Sequence, residues 1–373
     1  MPSPQFSPTA VHDLATSLFE KVGVRPADAD LITRSLIAAD SAGIYSHGLL
    51  RLPLYLRVVE QGGIDPTSVP RVVHRSGAVT VLDAAAAFGQ VAMVRAVEIA
   101  AESARSQGIA AVAVQGSSHF GAGRFWTDQL AEQGIAAILT STTGPVATPF
   151  GGSTPLLGTN PLTLSLPSQE DSALVADLAT TAGAYGKIVA AAQEGTDIPA
   201  GWGVDSAAQP TTDPAAVLDG GALLPFGGHK GSGISVMLEA LSAALSGGSY
   251  AKDTVDIWQD PSSRMNTGHL LIALDLAAFG EAGQILAKVS ELQQAVRDAG
   301  PAGTVHAPGD LEHQRRTHRA DSLEIPAATV QQLRELAEQY GLAFPSPLPE
   351  PDPDIPTPPH DPPHDSPHER SPR

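Results

Sequence analysis

The chain has 373 residues, 42% of them hydrophobic, and a formal net charge of −18. That length predicts two packed domains sharing one cleft, and the acidic balance excludes nucleic acid and anionic membrane as partners, because both need a dense Lys/Arg surface. With no cysteine present, disulfides, thiolate catalysis and cysteine-held zinc or iron–sulfur sites are excluded together.

The first residues, MPSPQFSPTAVHDLATSLFEKVG, show no basic region leading into an apolar one, so no signal peptide is expected. No apolar run approaches the roughly 20 residues that cross a bilayer, and a cytoplasmic protein is the expectation. Val11, Leu14, Leu18 and Val22 recur at helical spacing, as do Leu31, Ile32, Ser35, Leu36 and Ala39, with Arg25-Pro26 between the two runs. From about residue 78 strands and helices alternate: a strand over 78–82, a helix over 91–106, a strand over 109–114, a helix over 125–133 and a strand over 135–140. Short strands follow over 162–166 and 174–178, then an apolar helix over 234–245 and a strand over 270–275. The fold class this predicts is α/β, a sheet covered by helices. Residues 144–232 are dense in Gly, Pro, Thr and Asn, as functional loops often are. A last amphipathic helix (Val330, Leu333, Leu336, Ala337, Tyr340) ends at Gly341. Beyond Phe344 a Pro-rich acidic tail cannot build a core and is expected to be extended and disordered. Its spaced His360, His364 and His368 fit a solvated tail better than a metal site.

Three segments carry chemistry. In Ser46-His47-Gly48 with Arg51 and Tyr55, a continuing helix would align His47, Arg51 and Tyr55 at i, i+4 and i+8. That face would set a proton donor titrating near neutrality beside a planar fork for a carboxylate. The glycine-rich stretch His119-Phe120-Gly121-Ala122-Gly123 follows a strand and opens a helix, where dinucleotide phosphates settle. In Pro225–Gly233, His229 and Lys230 stand among glycines before the helix over 234–245, an arrangement suited to an anion. The turn at Thr159 and the strand end at Asp177 are ordinary turn chemistry when taken alone. Neither the Rossmann glycine fingerprint nor a P-loop occurs.

Taken in order, SHGLLRLPLY, SSHFGAG, GTNPLTLSLP, DLATTAGAYGKI, IPAGWGVD, PTTDP, LLPFGGHKGSG and HAPGD resemble the malate/L-lactate dehydrogenase-like family, which is unrelated to the Rossmann lactate dehydrogenases. The resemblance covers nearly the whole chain except the tail. It implies a nicotinamide cofactor, NADH or NADPH, in a non-Rossmann α/β domain, and a small carboxylate substrate, either a 2-oxo acid or a cyclic 2-imino acid. It implies His47 as proton donor with Ser46 supporting it, and Arg51, Tyr55, Thr159 and Lys187 on the substrate. His119, Phe120, Gly121, Ala122 and Gly123, Asp177, Leu178 and Ala179, and His229 with Lys230 would hold the cofactor. A homodimer is implied, with no nucleic acid, no membrane and no metal. The domains expected are 1–75 joined by 300–344 as a helical substrate domain, 76–299 as the cofactor domain, and 345–373 as the tail. Four features depart from the pattern: Ala42 where Arg is common, Lys187 where imine reducers carry Asp, Asp310 where Glu is usual, and the second glycine of HFGAGRFW one position early. The alternative is a non-catalytic or repurposed cofactor binder, which the loss of a basic residue at Ala42 would suit. A histidine metal hydrolase is excluded, since no H-E-x-x-H pair occurs in the folded region.

Overall fold

The structure, a computed structural model, describes residues 4–349. Near the N-terminus, β1 (Gln5–Phe6) pairs antiparallel with β12 (Leu323–Glu324), so an early and a late segment of the chain meet in one layer. Helix α1 (Pro8–Lys21) starts where the Ser7 hydroxyl accepts from Ala10 N, and α2 (Pro26–Ser41) starts on a proline whose missing N–H is no loss at that position. Their buried stripes, including Leu14, Leu18, Ile32 and Leu36, pack with α3 (Leu52–Glu60). The C-terminal helix α11 (Ala327–Gln339) brings Val330, Leu333 and Ala337 into the same core.

The order of the main sheet differs from a simple alternation. Its strands are β2 (Arg71–Ser76), β3 (Val79–Asp83), β4 (Ile109–Ser117), β5 (Ile135–Ser141), β6 (Leu162–Leu166), β7 (Leu174–Leu178) and β11 (Thr267–Asp275), arranged β2-β3-β4-β11-β5-β6-β7. Only β3 and β4 are parallel, joined by the crossover helix α4 (Gly89–Gln107). Strand β11 arrives late in the chain and inserts antiparallel between β4 and β5. These three central strands are near-continuous Ala/Val/Ile/Leu runs, as expected for strands covered on both faces. Leu271 and Ala273 join the core beneath α4 and α5 (Arg124–Ala131), whereas Gly268, of opposite parity, touches the late helix over 229–246.

A smaller lobe holds α6 (Tyr185–Glu194), β8 (Gly203–Val204), β9 (Pro210–Thr211), α7 (Pro214–Leu218) and β10 (Ala222–Leu223) around Leu157, Ile188, Ile198 and Leu223. Next comes α8 (His229–Ser246), which begins five residues before the sequence-based start. The turn into it needs Gly227 and Gly228 at positive φ, and a side chain at Gly231 would strike the Phe226 carbonyl. His229 and Lys230 are therefore the first turn of the helix and not a loop ahead of it. Helices α9 (Ala282–Arg297) and α10 (Asp310–His318) are clamped where Arg297 forks onto Asp310 and also bonds Glu170.

The expected tail boundary at 345 also moves. Phe344 packs edge-on against Phe6, and Leu348 N donates to Gln5 O at 2.8 Å, so the chain stays with the fold through that point. The remainder of the expected tail, with its three histidines, lies outside the described residues. Among the described residues, no helix is long and apolar enough to cross a membrane.

Candidate active site

The stretch from 45 to 60 is not one helix. Two short 3-10 turns, Tyr45–His47 and Leu49–Arg51, precede α3, with Gly48 in extended backbone between them. The cause is Asp40, whose buried carboxylate accepts from Leu49 N at 2.9 Å and lies where a Gly48 side chain would be, 1.8 Å from its Cβ position. Burial pushes the Asp40 carboxyl up to about 7. The i, i+4, i+8 alignment is lost, yet the break still brings His47, Arg51 and Tyr55 to one place by other contacts.

Ser46 Oγ sits 2.8 Å from His47 Nδ1, which fixes the ring and leaves Nε2 as the nitrogen not held by that hydroxyl. The imidazole stacks on His119, centroids 5.4 Å apart. Tyr55 Oη is 2.6 Å from His119 Nδ1 and accepts from Gln90 Nε2 at 3.2 Å. Arg51 Nε donates to the Ser46 carbonyl, and its guanidinium lies 4.5 Å over the Trp258 ring. Trp258 in turn meets His119 edge to face at 5.6 Å. Asp256, two residues before Trp258, faces Arg51 and takes the room left by Gly144, which has no side chain.

Electrostatics correct the sequence-based expectation for His47. Burial, with the Arg51 charge beside it, lowers its pKa to about 4, so the imidazole is neutral at physiological pH instead of titrating near it. His119 is pushed well below its ordinary value by burial and the neighbouring His47 and Arg51, and burial lifts the Tyr55 phenol to about 12. The resting cluster thus carries its positive charge on Arg51.

The other expected site residues fall in separate networks. Thr159 N donates to Thr143 Oγ1, and the Thr159 carbonyl accepts from Thr180 Oγ1. Lys187 lies in the first turn of α6, 5.7 Å over the Trp202 ring; a side chain at the preceding Gly186 would come 4.0 Å from Ser46 Cβ. Phe120 is buried against His269, Gly121 needs a positive φ, and Ala122 is buried. Gly123 has no room for a side chain beside Thr163 Oγ1. Asp177 spends both oxygens on the protein, accepting from Arg124 N at 3.0 Å and Thr163 Oγ1 at 2.8 Å, so it fastens the His119–Gly123 loop to β6 and β7. Leu178 is exposed and Ala179 half-buried at the end of that strand. His229 and Lys230 are exposed in the first turn of α8, which has no side-chain cap. Uncapped helix N–H groups, two positive-φ glycines and a lysine fit a dinucleotide phosphate. Among the described residues no group of three His, Cys, Asp or Glu is placed to hold a metal.

Five contributors escaped the sequence reading: Asp40, Gln90, Gly144, Asp256 and Trp258. All but Asp40, which ends the preceding helix, reach the site from distant segments, and none stands in a spaced motif. The DIW run at 256–258 was the only local signal, an acid and an aromatic in a loop.

Residues 6–334 match the family model described as malate/L-lactate dehydrogenase. A Delta(1)-pyrroline-2-carboxylate/Delta(1)-piperideine-2-carboxylate reductase of Pseudomonas syringae pv. tomato is 39% identical over 329 residues, covering 87% of this chain and 94% of the relative. A (2R)-3-sulfolactate dehydrogenase (NADP(+)) of Chromohalobacter salexigens is 36% identical, covering 87% and 95%. The solved sulfolactate dehydrogenase of Methanocaldococcus jannaschii superposes with a TM-score of 0.84 at 32% identity, covering 91% of this chain and 98% of that one. Family and relatives alike are dehydrogenases and reductases, which makes this protein an oxidoreductase. The chain belongs to the malate/L-lactate dehydrogenase family.

Proposed function

We propose that the enzyme uses NADH or NADPH to reduce a small 2-oxo acid to the 2-hydroxy acid, with His47 moving the proton. The observation that carries this is the neutral His47, held by Ser46 at 2.8 Å and flanked by the fixed guanidinium of Arg51. Arg51 grips the substrate carboxylate, and the arriving negative charge favours the imidazolium, against the burial that chiefly keeps His47 deprotonated and the Arg51 charge that adds to it. His47 takes up its proton as substrate binds, then gives it to the carbonyl oxygen as general acid. The bound nicotinamide supplies the hydride to the carbonyl carbon. In the reverse direction the neutral imidazole is already a base for the alcohol proton. Tyr55 and Gln90 orient His119 beside it, and Thr159 and Lys187 border the substrate. The loop His119–Gly123, the strand end at Asp177, Leu178 and Ala179, and the turn of His229 and Lys230 hold the cofactor.

A cyclic 2-imino acid is the second reading, favoured by the 39% identical relative named for such substrates. Against it stands charge: a protonated C=N would enter beside Arg51, with Lys187 at the start of the helix that abuts Ser46. We further propose the division into a helical substrate domain (1–75 with 300–348) and a cofactor domain (76–299), which the two separate hydrophobic cores support, and a homodimer acting in the cytoplasm.

The test is oxidation of NADH and NADPH by the full chain, followed by nicotinamide absorbance, against pyruvate, oxaloacetate, sulfopyruvate, and pyrroline- and piperideine-2-carboxylate. Turnover with the 2-oxo acids is expected. Turnover with the imines alone would replace this reading by the second. No turnover at all, with cofactor binding seen by calorimetry, would favour a non-catalytic cofactor binder.

A further inference from the structure

Helix α8 buries an acid among serines. From Gly231 to Ser249 Glu239 is the one ionisable side chain, and it keeps 5% of its surface. Ser232, Ser235, Ser242 and Ser246 share its buried side. Burial holds the Glu239 carboxyl above its usual range, and the groups around it, Ala251 N, Gly158 N and the Asn160 amide, do not titrate. One oxygen, Oε1, accepts from Ala251 N. Among the described residues the other, Oε2, is buried with no hydrogen-bond partner, as is Oδ1 of the adjoining Asn160. An apolar side chain of similar size is easier to bury than a carboxyl with one oxygen unsatisfied. Glu239 therefore weakens the fold locally, and its reason lies in what it holds.

Two segments meet at this carboxyl. The first opens at Ala251 with a 3-10 turn (Ala251–Asp253) and runs to Asp256 and Trp258, the acid and the ring that face Arg51. Between those two, Ile257 is buried in the helical core, so the loop is fixed there at its far end and at Glu239 at its near end. The second segment is the turn Gly158-Thr159-Asn160. Asn160 has a φ of +38°, a form that residues other than glycine rarely take, and its amide donates to the Ser235 carbonyl of α8 at 3.1 Å. Thr143 Oγ1 accepts from Thr159 N, and Gly144 beside it donates toward Asp256. Both segments lead from Glu239 to the carboxylate that faces Arg51.

We propose that Glu239 is a positioning residue for the reduction: by accepting from Ala251 N against the 158–160 turn, it sets the place of Asp256 and Trp258, and so the aim of the Arg51 guanidinium at the substrate carboxylate. This rests on the reading of Arg51 as the carboxylate grip. Without the acceptor, the Ala251 N–H is unsatisfied and the loop is held at one end alone. Arg51 then keeps its bond to the Ser46 carbonyl but loses a fixed counter-charge and a fixed ring.

The test is steady-state kinetics of the full chain with the 2-oxo acid that turns over, each variant checked for folding by circular dichroism. Glu239→Leu keeps the bulk and removes the acceptor. Its KM for the 2-oxo acid is expected to rise about tenfold, the size of change one hydrogen bond makes, with kcat and the NADPH KM within about twofold. Loss of folded enzyme alone lowers kcat and leaves both KM values in place, so that pattern overturns the proposal. Glu239→Gln keeps an acceptor for Ala251 N and brings a donor to Asn160 Oδ1, and it is expected to recover most of the loss. A Gln variant as impaired as the Leu one would assign the effect to charge and overturn the proposal too. Should Glu239→Leu misfold, Glu239→Asp, one carbon too short to reach Ala251 N, replaces it with the same expected and overturning results. Arg51→Lys separates this proposal from the reading beneath it. A KM rise there with none in the Glu239 variants removes the positioning role alone; no KM rise in Arg51→Lys removes the carboxylate grip as well.

Discussion

The two basic residues assigned to the ligands' anionic ends are built in opposite ways. Arg51 is enclosed, its Nε bonded to the Ser46 carbonyl, its plane against Trp258 and its charge facing Asp256. Lys230 is exposed at the tip of α8, and among the described residues no hydrogen bond or ion pair engages it. A fixed cation beside a buried imidazole adds to the effect of burial on its protonation, as Arg51 does for His47. A mobile cation at a helix start attracts a phosphate by charge and is screened by salt. On the proposed assignment, the substrate end is where chemistry is tuned, and the cofactor end is where binding is gained.

Substitutions test that division in descending order of effect. His47→Ala removes the proton donor, and turnover is expected to fall roughly 100- to 10,000-fold, with NADPH affinity unchanged by calorimetry. Arg51→Lys keeps the charge but loses the fork and the ring stacking; KM for the 2-oxo acid should rise on the order of 10- to 100-fold, far more than the KM for cofactor. Lys230→Gln should reverse that split. It is expected to weaken NADPH binding by about five- to tenfold at low salt, with a smaller deficit as ionic strength rises and the substrate KM nearly unmoved. Equal effects of Arg51→Lys and Lys230→Gln on both ligands would break the comparison.

The smallest effect concerns the turn that seats His47. The Asp40 carboxyl is raised to about 7 in the fold from 3.8 when unfolded, so between those values the folded chain holds a proton that the unfolded chain releases. That contribution to stability is full at acid pH and is lost as pH rises through about 7. Asp40→Asn cannot titrate. Its melting temperature should therefore gain on the wild type as pH goes from about 4 to above 7, a trend calorimetry reads directly. A constant gap would show that Asp40 is ionised throughout.

Much of the scaffold was legible because local pattern and burial agree there. The strands over 162–166 and 174–178 lie where alternation placed them, and α4 and α11 follow their apolar periods. The insertion of β11 between β4 and β5 was not legible, since strand order is a long-range property that no local period encodes. Gly48 broke the helix expected through His47 for a similar reason. The constraint comes from Asp40, eight residues earlier, and from burial that makes its carboxylate bond the backbone. The ordered motifs singled out His47, Arg51 and His119, which the fold brings together, without revealing how they meet. Trp258 and Asp256 come from a segment remote from Arg51 in the sequence, so their part in holding Arg51 needed the fold.

The central claim is that His47 is neutral in the free enzyme and gains its proton with the substrate carboxylate. Nuclear magnetic resonance of histidine-labelled protein, with His47→Gln to assign the signal, measures this directly. The free enzyme should show His47 titrating near 4. With reduced cofactor and a non-reacting carboxylate such as oxamate, the midpoint should move up toward neutrality. A free-enzyme midpoint at the ordinary value of 6.5, or one that the carboxylate leaves in place, would contradict the account.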